Sequence, residues 1–401
     1  MSSGELSILK KILILNGSHS DIQLIKSAKE LGYYVITSGN RPDLLGHQYS
    51  DKYVFGDFSD PQLMYEIASS ERIDAICSCA NDFGAISSAY VAEKLGLPGH
   101  DSYDVTLTLH HKDKFKIFSK EHNVPTPIAE NYSDYNQARE LIDQYKYPIM
   151  VKPTDMTGGK GVTKVESKKQ FEAALKLAFA SSHSHQIVIE PYIDGTHHSF
   201  STFLINKKVA AFYSDNEYSY ASPFLVTTSA GPATNIDLVR DTLITVSENI
   251  ADVLNLRDGI FHIQYILSDG KPYILEITRR CSGDFYSVPV EYATGIPWAE
   301  WIVRTECGMD CSNFPKGSKQ TKLGGRHCIV GDHNGAIKGI YISPEISNNI
   351  YDDFLWWNTT KRINNHLIDK VGIVFLKYDS YDDMIYKSEN ITRFIHPIYE
   401  K

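Results

Sequence analysis

The chain has 401 residues, of which 42% are apolar and 22% charged, and its formal net charge at pH 7 is -9. This size predicts two or three domains, and the acidic balance excludes a chain built to hold a nucleic-acid backbone, because that task needs a basic face. No apolar run reaches the roughly 18 to 20 residues of a membrane span, and the stretch "MSSGELSILKKILILNG" has no cleavage signal, so we expect a cytoplasmic protein without a membrane partner.

Strand and helix patterns alternate along the first part of the chain. "KILILN" at 11–16 is a compact β-rich run, the amphipathic "DIQLIKSAKEL" follows it, and "YYVIT" is a second strand pattern. The same order returns in "KYVF", "PQLMYEIASSE", "DAICS" and "FGAISSAYVAEKL". These patterns predict an α/β domain over residues 1–110, with a doubly wound parallel sheet.

The ends of these predicted strands carry small polar residues. The first turn, "NGSHSD", has one glycine where a dinucleotide fingerprint has G-x-G-x-x-G, which disfavours NAD binding. Open α/β sheets collect ligands at the carboxyl ends of their strands, where Ser18, His19, Asn81 and Asp82 lie. We therefore predict that these four residues contribute to a substrate site. Helix capping is the alternative for Ser18 and Asp82.

The pattern changes at about residue 113, which predicts a domain boundary. "DKFKIFSKEHNVPTP" is a helix that ends before the prolines, and "YPIMVKP" and "VTKVE" are strands on either side of a glycine turn. A helix over "KQFEAALKLAFA", three further strands and a helix at about 237–254 lead to "IFHIQYIL" and "KPYILEIT", an antiparallel hairpin around "SDG". This second region is α+β.

The glycine turn "KPTDMTGGKGV" at 152–162 has the chemistry of a phosphate cradle. Glycines let backbone N–H groups approach phosphate oxygens, and Lys160 adds a charge. A Walker A loop is excluded, because Gly161 stands where that motif has Ser or Thr and the loop joins two strands. A plain hairpin turn is the alternative for the loop. Lys152 lies inside an apolar strand, where its ammonium group is costly to bury unless an anion meets it. The alternative is that its side chain snorkels to solvent at a sheet edge.

The later hairpin carries a row of oxygen ligands. Gln264 and Glu276 lie on consecutive antiparallel strands, and Glu276, Thr278 and Arg280 alternate onto one face. Such a row with an arginine at its end can hold Mg²⁺ against a polyphosphate. A solvated polar face on an edge hairpin is the alternative.

Taken together, these motifs resemble the ATP-grasp superfamily, in particular its carboxylate–amine ligases, which include biotin carboxylase-like and carbamoyl-phosphate synthetase-like proteins. The similar features follow in order: an N-terminal α/β domain, the lysine of "HHKDKF", a strand lysine, the loop "TGGKGV", the hinge "VIEPYIDG" and, for the signature ExNPRxxG, "EITRRCSG". The resemblance covers about residues 10–310, and the tail "GIVFLKYDSYDDMIYKSENI" is similar to the small C-terminal domain of these ligases.

The resemblance implies three domains: 1–110, an ATP-grasp domain of two α+β subdomains over 111–310 with a nucleotide lid at about 113–195, and a small α+β domain over 311–401. It also implies residue roles. ATP would be bound by Lys114, Lys152, Gly158, Gly159, Lys160, Gly161, Glu190, Tyr192 and His197, with the Glu190 side chain and the hinge backbone reading adenine. Mg²⁺, or Mn²⁺, would be bound by Gln264, Glu276 and Thr278. Arg280 and Lys152 would be catalytic, and Arg280, Ser282 and Gly283 would face the substrate.

Two departures from the family pattern involve three positions. His197 stands where the family has a carboxylate for the ribose hydroxyls, so the ribose would fall to His197 or Asp194. Thr278 and Arg279 stand where the signature has Asn and Pro, which removes one oxygen ligand from the metal set.

Other constellations carry less information. The cysteines (Cys77, Cys79, Cys281, Cys307, Cys311 and Cys328) form no CxxC pair, and we expect reduced, buried thiols. The adjacent histidines 110/111 and 197/198 are not spaced as metal ligands on one face. Arg326 in "GGRHC" either meets a substrate carboxylate or begins a strand.

The resemblance implies an ATP-dependent ligase that activates a small-molecule carboxylate as an acyl phosphate and joins it to an amine, with a homodimer as a family-level expectation. Two alternatives remain: a carboxylase or phosphotransferase with the same nucleotide site, and a nucleotide-binding module with degenerate catalysis, which the departures at Thr278 and His197 favour. A dinucleotide oxidoreductase is a third class, and it would need nicotinamide binding at "NGSHSD".

Overall fold

The computed structural model describes residues 9–156, 158–317 and 320–400. The first eight residues, part of the stretch in which no cleavage signal was found, and Thr157 in the glycine turn lie outside the described residues. Within the described part of the chain, none of the helices combines the length and the apolar character needed to cross a membrane.

The N-terminal segment forms a parallel sheet of four strands in the order β3-β2-β1-β4. Its elements are β1 (Lys11–Leu15), α1 (Ile22–Glu30), β2 (Tyr34–Gly39), β3 (Lys52–Phe55), α2 (Pro61–Glu71), β4 (Ala75–Cys77) and α3 (Asp82–Leu95). Successive side chains of β1 point to opposite faces, and both faces are buried: Leu13 packs with α2 and α3, and Ile12 with α1. This arrangement explains the continuous apolar run of β1.

Two helices and a small antiparallel sheet follow. The helices are α4 (Tyr103–His110) and α5 (Lys112–Glu121). The sheet, with strand order β5-β8-β6-β7, contains β5 (Glu130–Tyr132), α6 (Tyr135–Glu140), β6 (Ile149–Pro153), β7 (Thr163–Val165), α7 (Lys168–Ser181) and β8 (Ile187–Pro191). Phe171 and Leu175 of α7 cover one face of this sheet, so its other face is left for a different partner.

That partner is an eight-stranded sheet with the order β13-β12-β9-β10-β11-β14-β18-β16. Its first part contains β9 (Thr196–Ile205), β10 (Lys208–Tyr218), β11 (Thr228–Gly231), α8 (Ile236–Val253), β12 (Gly259–Ser268) and β13 (Lys271–Thr278), followed by α9 (Ser287–Thr294) and α10 (Trp298–Glu306). The C-terminal elements are β14 (Leu323–Val330), β15 (Gly335–Ile342), α11 (Pro344–Ser347), β16 (Ile350–Leu355), α12 (Trp357–Thr360), β17 (Arg362–Ile363), β18 (Lys370–Tyr378), α13 (Tyr381–Glu389), α14 (Ile391–Phe394) and β19 (Ile395–Tyr399). Strands β14, β18 and β16 extend the large sheet, and β17-β15-β19 form a separate sheet of three.

The mixed α/β class, with a parallel N-terminal sheet and antiparallel sheets after it, is confirmed. The predicted strands and helices up to the hairpin at β12 and β13 are all present. The cysteines are free and buried, as the sequence predicts. The domain limits at residues 110 and 310 stay a prediction. The large sheet itself continues from β11 into β14, across the second of these limits.

Arg279 fixes the N-terminal segment against the large sheet. Its Nε donates to Asp101 Oδ2 at 2.8 Å, and its two terminal nitrogens donate to the backbone oxygens of Ile260 at 2.5 Å and Arg257 at 2.6 Å. The Arg279 and Asp101 side chains are only 7% and 6% exposed. Arg279, one of the residues that depart from the family pattern, is therefore a buried structural clamp.

We expect Arg279→Ala to lower the free energy of unfolding by about 3–5 kcal/mol, because it leaves the Asp101 carboxylate buried without its partner. The measurement is urea denaturation at pH 7. Arg41→Ala breaks the exposed pair with Asp43 and is the control, with an expected loss below about 1 kcal/mol. Equal losses in the two variants would contradict the clamp.

Candidate functional site

A cavity of about 650 Å³ lies between the lid sheet (β5–β8) and the large sheet. Strand alternation explains its lining. On β12, Phe261, Ile263 and Tyr265 pack under α8, so the residues between them, His262 and Gln264, face the cavity. On β6 the same alternation buries Ile149 and Val151 against α7 and turns Met150 and Lys152 toward the cavity. The two sheets thus present opposed polar faces to one space.

Lysines 152 and 116 pair with the same buried carboxylate at the lid wall. Lys152 Nζ bonds Glu190 Oε1, and Lys116 Nζ lies 2.8 Å from Glu190 Oε2. Burial would raise the pKa of Glu190, but Lys152 and Lys116 outweigh it and hold that pKa at about 2. Each Glu190 oxygen therefore lies beside a lysine ammonium group, and the expectation that this side chain reads adenine stays a prediction.

The helix α5 contributes a different lysine from the one expected. Lys112 lines the cavity, and its Nζ donates to Met156 O at 2.7 Å. Lys114 is exposed and does not line the cavity, because a residue two positions along a helix points about 200° away. Lys112, and not Lys114, therefore lies at the cavity wall, and the ATP-binding role expected of Lys114 stays a prediction.

The glycine turn covers one side of the cavity. Gly158 and Gly159 line it, both with positive φ, whereas Lys160 and Gly161 lie outside its lining. A Cβ on Gly159 would lie 2.6 Å from Cβ of Phe224 and 2.8 Å from its oxygen, whereas a Cβ on Gly158 would meet no atom of the described residues within 4 Å. Gly159 is thus required for the close contact between this turn and the loop of residues 219–226.

The cavity is apolar beside the hinge. Met150 comes from the lid sheet, Ile266 and Leu275 come from the large sheet, and Ile193 follows the hinge strand. Tyr192 also lines this part, with Lys164 Nζ 3.9 Å from its ring centroid. His197 lines the cavity from an exposed position on β9, and Asp194 does not line it. A flat ring would fit between these apolar walls, with its edge at the hinge backbone.

The large sheet presents acidic and amide groups opposite the lid. Gln264 is directly opposite Glu276 in the β12–β13 pair, and the Gln264 amide nitrogen lies 3.0 Å from both carboxylate oxygens of Glu217. Burial raises the pKa of Glu217, and so do the neighbouring charges of Asp215 and Glu276. This crowding of carboxylates favours a cation between them.

The donors at this wall fit a hard divalent cation in chemistry. Glu276, Glu217 and the Gln264 amide supply oxygens, and the buried Thr278 Oγ1, which also lines the cavity, has no hydrogen-bond partner among the described residues. Within the same residues no group of three or more His, Cys, Asp or Glu side chains is arranged to hold a metal. A cation here would therefore need oxygens from a bound ligand as well.

Arg280 lies where the N-terminal segment meets the cavity. Its Nε donates to Asp82 Oδ1 at 2.9 Å, and His110 Nδ1 lies 3.0 Å from the same oxygen. Burial would raise the pKa of Asp82, but Arg280 and His110 hold it well below its usual value. Asp82, expected at a substrate site, thus lines the cavity as the partner of Arg280.

A second charged cluster lies at the same end of the cavity. Lys370 Nζ is 2.5 Å from Asp284 Oδ2, Arg326 Nη1 is 3.5 Å from it, and His19 Nε2 is 3.2 Å from Oδ1. Burial opposes the charge of Asp284, yet Lys370, His19 and Arg326 keep its pKa well below the usual value. Asp284 and Phe285 both have positive φ, at 57° and 53°, a strained backbone of a kind that clusters at functional sites.

The remaining predicted substrate residues divide into two groups. Asn81, Ser282 and Gly283 line the cavity. Ser18 and His19 do not, because Ser18 donates to Asp21 at 2.7 Å and His19 is directed to Asp284, with its ring 4.8 Å from that of Trp356. For Ser18 the alternative of a helix-start contact is the better description.

Sequence reasoning missed several residues that line the cavity: Lys112, Glu217, His262, Asp284, Tyr286 and Arg326, the last considered but left open. A signal existed for Glu217, since Tyr213, Asp215 and Glu217 alternate along one strand. For Asp284 no local signal existed, because its partner Lys370 is 86 positions away.

The described residues form a mixed α/β fold with a large cavity, lined by both charged and apolar groups, between two antiparallel sheets. Residues 111–284 match the family model described as an ATP-grasp domain. The matched stretch is less than half of the chain, and over it the resemblance seen in the motifs is confirmed.

Curated relatives agree with this assignment. The chain is 23% identical over 339 residues to the carbamoyl phosphate synthase large chain of Methanocorpusculum labreanum, covering 76% of this chain and 31% of the relative. It is 24% identical over 335 residues to the large chain of Clostridium acetobutylicum, covering 79% and 30%. The chain thus spans about a third of the length of these relatives.

Solved structures share the fold across nearly the whole chain. The L-amino acid ligase of Bacillus licheniformis has a TM-score of 0.80 at 18% identity, with 98% of this chain and 100% of that one covered. The phosphoribosylglycinamide synthetase of Anaerococcus prevotii has a TM-score of 0.76 at 21% identity, with 98% and 100% covered. A biotin carboxylase domain dimer of the Hydrogenobacter thermophilus 2-oxoglutarate carboxylase, in complex with MgADP and bicarbonate, has a TM-score of 0.77 at 15% identity, with 98% and 91% covered.

Proposed function

We propose that the protein is an ATP-dependent ligase that activates a small-molecule carboxylate as an acyl phosphate and joins it to an amine. The observation that carries this proposal is the composition of one cavity: lysines and a glycine turn at the lid, carboxylate and amide groups on the opposite sheet, and arginines at the N-terminal end. A polyphosphate, its counter-cation and an acid each find complementary groups there.

At the lid end, the nucleotide base would lie between Met150 and Leu275, with its edge at the hinge backbone. Lys112 and Lys152 would meet the phosphates, and Gly158 and Gly159 would cover them. The apolar walls beside the hinge and the cavity-lining positions of Lys112 and Lys152 support this orientation. The ribose would lie near His197.

At the opposite wall, Glu276 and Gln264 would hold Mg²⁺, with Glu217 beside them. When bound, the ion would neutralise charge on the phosphate oxygens during phosphoryl transfer. The oxygen chemistry of these donors suits Mg²⁺, and Mn²⁺ accepts the same ligands. The Hydrogenobacter thermophilus carboxylase domain, which shares the fold, was solved in complex with MgADP.

A carboxylate is a poor acyl donor, because oxide would have to leave. In the proposed reaction a carboxylate oxygen attacks the γ-phosphorus and ADP leaves, which forms an acyl phosphate. Arg280 would stabilise the negative charge that gathers on the transferring group. The glycine turn, in contact with the loop of residues 219–226, would exclude water until the amine arrives.

The amine nitrogen then attacks the acyl carbon, phosphate leaves, and the nitrogen loses a proton, which gives an amide. The cluster of Asp284 and Arg326 lies at the end of the cavity where these groups would meet.

We further propose that the enzyme works in the cytoplasm as a homodimer. The one support for a dimer is the dimeric carboxylase domain among the structures of the same fold.

One observation favours a nucleotide-binding module without turnover. Lys152 and Arg280 already pair with Glu190 and Asp82, which reduces the free positive charge available to phosphates. The test is ADP release from Mg·ATP in the presence of pooled carboxylates and amines. Release that needs both pools supports the ligase, and release with bicarbonate alone supports a carboxylase. Binding of Mg·ATP without any release supports the module.

Gly159→Ala is expected to weaken Mg·ADP binding about tenfold or more, because the new Cβ would clash with Phe224 and the positive φ would be strained. The measurement is the dissociation constant of Mg·ADP by isothermal titration calorimetry. Gly158→Ala is the matched control, since its Cβ meets open space, and we expect a smaller loss from backbone strain alone. A larger loss in Gly158→Ala would contradict the role given to the Phe224 contact.

A further inference from the structure

A chain of hydrogen bonds connects Arg280 to the backbone behind it. Arg280 Nε donates to Asp82 Oδ1, which lies 3.0 Å from His110 Nδ1, and the Arg279 backbone N–H donates to His110 Nε2 at 3.2 Å. Arg280 and Asp82 line the large cavity, whereas His110 lies behind them with a side chain that is 0% exposed. Solvent therefore does not compete for the His110 nitrogens.

The hydrogen-bond partners of His110 determine the tautomer of its imidazole. A backbone N–H can only donate, so His110 Nε2 must accept and carries no hydrogen. In a neutral imidazole the hydrogen is then on Nδ1, where it faces the Asp82 carboxylate. The Nδ1–H group holds Asp82 Oδ1 at the position from which that oxygen also accepts from Arg280.

We infer that His110 and Asp82 are positioning residues for Arg280, a role that rests on the proposed function of Arg280 toward the reacting acid. Arginine has many rotamers, and two of its donors are fixed here: Nε on Asp82 and Nη1 on Cys281 O at 3.1 Å. Among the described residues no further hydrogen bond of the Arg280 side chain is seen, so its remaining N–H groups can face the cavity that the residue lines. Loss of the His110 hydrogen bond releases Asp82, and through Asp82 it releases Arg280.

This chain of hydrogen bonds, the relay, connects the N-terminal segment to the residues that follow β13. Asp82 is the first residue of α3 in the N-terminal segment and His110 the last of α4, whereas Arg280 follows β13. Asp82 and Arg280 are 198 positions apart in the sequence. The geometry of Arg280 therefore depends on how the N-terminal segment sits against the large sheet, and Arg279, which clamps these two parts together, supplies the terminal N–H of the relay.

The first test is the tautomer, read by nitrogen NMR on protein labelled at its histidines. We expect His110 to show a protonated Nδ1 and an unprotonated Nε2, with the signal assigned by its loss in His110→Asn. A protonated Nε2 would overturn the inference, since the Arg279 amide would then face a second donor. This readout needs no substrate, so it is independent of the proposed ligase activity.

The second test is the exposure of Arg280 to phenylglyoxal, followed at that residue by tandem mass spectrometry. We expect His110→Leu to raise the modification rate of Arg280 about tenfold, because a hydrogen bond to a charged group is lost. His110→Asn keeps an N–H donor near the Nδ1 position and should restore most of the protection. His333→Leu is the matched control, because His333 Nδ1 also pairs with an aspartate, Asp332, but at an exposed position.

An unchanged rate at Arg280 in His110→Leu would overturn the positioning role. If His110→Leu does not fold, two other results decide. A protonated His110 Nδ1 in the wild type, together with an Arg280 modification rate in His110→Asn equal to that of the wild type, supports the positioning role. With an active enzyme, we further expect kcat to fall in His110→Leu while the KM for ATP stays unchanged. Failure of the wild type to make ADP would refute the ligase proposal and leave the tautomer and modification results standing.

Discussion

Glu276→Gln is expected to lower Mg²⁺-dependent ADP formation by at least about a hundredfold, since it removes the carboxylate that faces Gln264 at the centre of the acidic wall. An amide oxygen carries no net charge, so the variant would hold a divalent cation weakly even though the shape of the side chain is kept. We expect Mn²⁺ binding, followed by electron paramagnetic resonance in the presence of ADP, to weaken in parallel.

The neighbouring positions supply controls for this experiment. Gln264→Glu should keep or strengthen Mn²⁺ binding, because it adds a carboxylate opposite Glu276, although it also adds a charge beside Glu217. Glu66→Gln changes an exposed carboxylate on α2 and should alter nothing. Full activity and unchanged Mn²⁺ affinity in Glu276→Gln would contradict the proposal that this acidic wall holds the cation.

Glu190→Gln is expected to lower the free energy of unfolding by about 3–5 kcal/mol at pH 7, because the substitution leaves the buried Lys116 ammonium without its anion. The pKa of Glu190 in the folded chain is about 2, below the ordinary value of 4.5. The charged carboxylate therefore stabilises the fold fully above about pH 4.5, and this contribution is lost as the pH falls toward 2.

The corresponding measurement is urea denaturation of wild type and Glu190→Gln between pH 7 and pH 3. We expect the difference in unfolding free energy to narrow by roughly 2 kcal/mol as the pH falls from 4.5 to 3, as the depressed pKa requires. Asp143→Asn breaks the exposed pair with Lys168 and should show no comparable loss. A difference that stays constant across this pH range would contradict the depressed pKa.

Most of the secondary structure could be predicted because apolar periodicity is strong in these segments. The alternation of "IFHIQYIL" requires that His262 and Gln264 face away from the α8 side, and the structure has them there. The C-terminal strands were harder, since β14 pairs with β11 and β18, both far away in the sequence.

The structure places Lys112 rather than Lys114 at the cavity for a physical reason. Lys112, Phe115, Lys116 and Ser119 share one face of the helix, so the two buried side chains at 115 and 119 indicate lysines 112 and 116 as inward, and Lys114 as outward. Helical periodicity was therefore the better guide to this lysine than the spacing within the motif.

The pairing of charges could not be predicted in the same way. Glu190 with Lys116, Arg280 with Asp82 and Asp284 with Lys370 are contacts between distant segments. A single sequence states which residues are charged but not which of them meet. These pairs nevertheless decide the chemistry, because they determine which donors remain free to face a ligand.

The most direct test of the central claim is hydroxylamine trapping. The protein is incubated with Mg·ATP, pooled small carboxylates and hydroxylamine, and ADP and hydroxamates are measured by mass spectrometry, with Glu276→Gln as the control. We predict equal amounts of ADP and of one hydroxamate from the wild type and neither from the variant. Tight ATP binding with no ADP and no hydroxamate, from any carboxylate in the pool, would contradict an acyl-phosphate ligase.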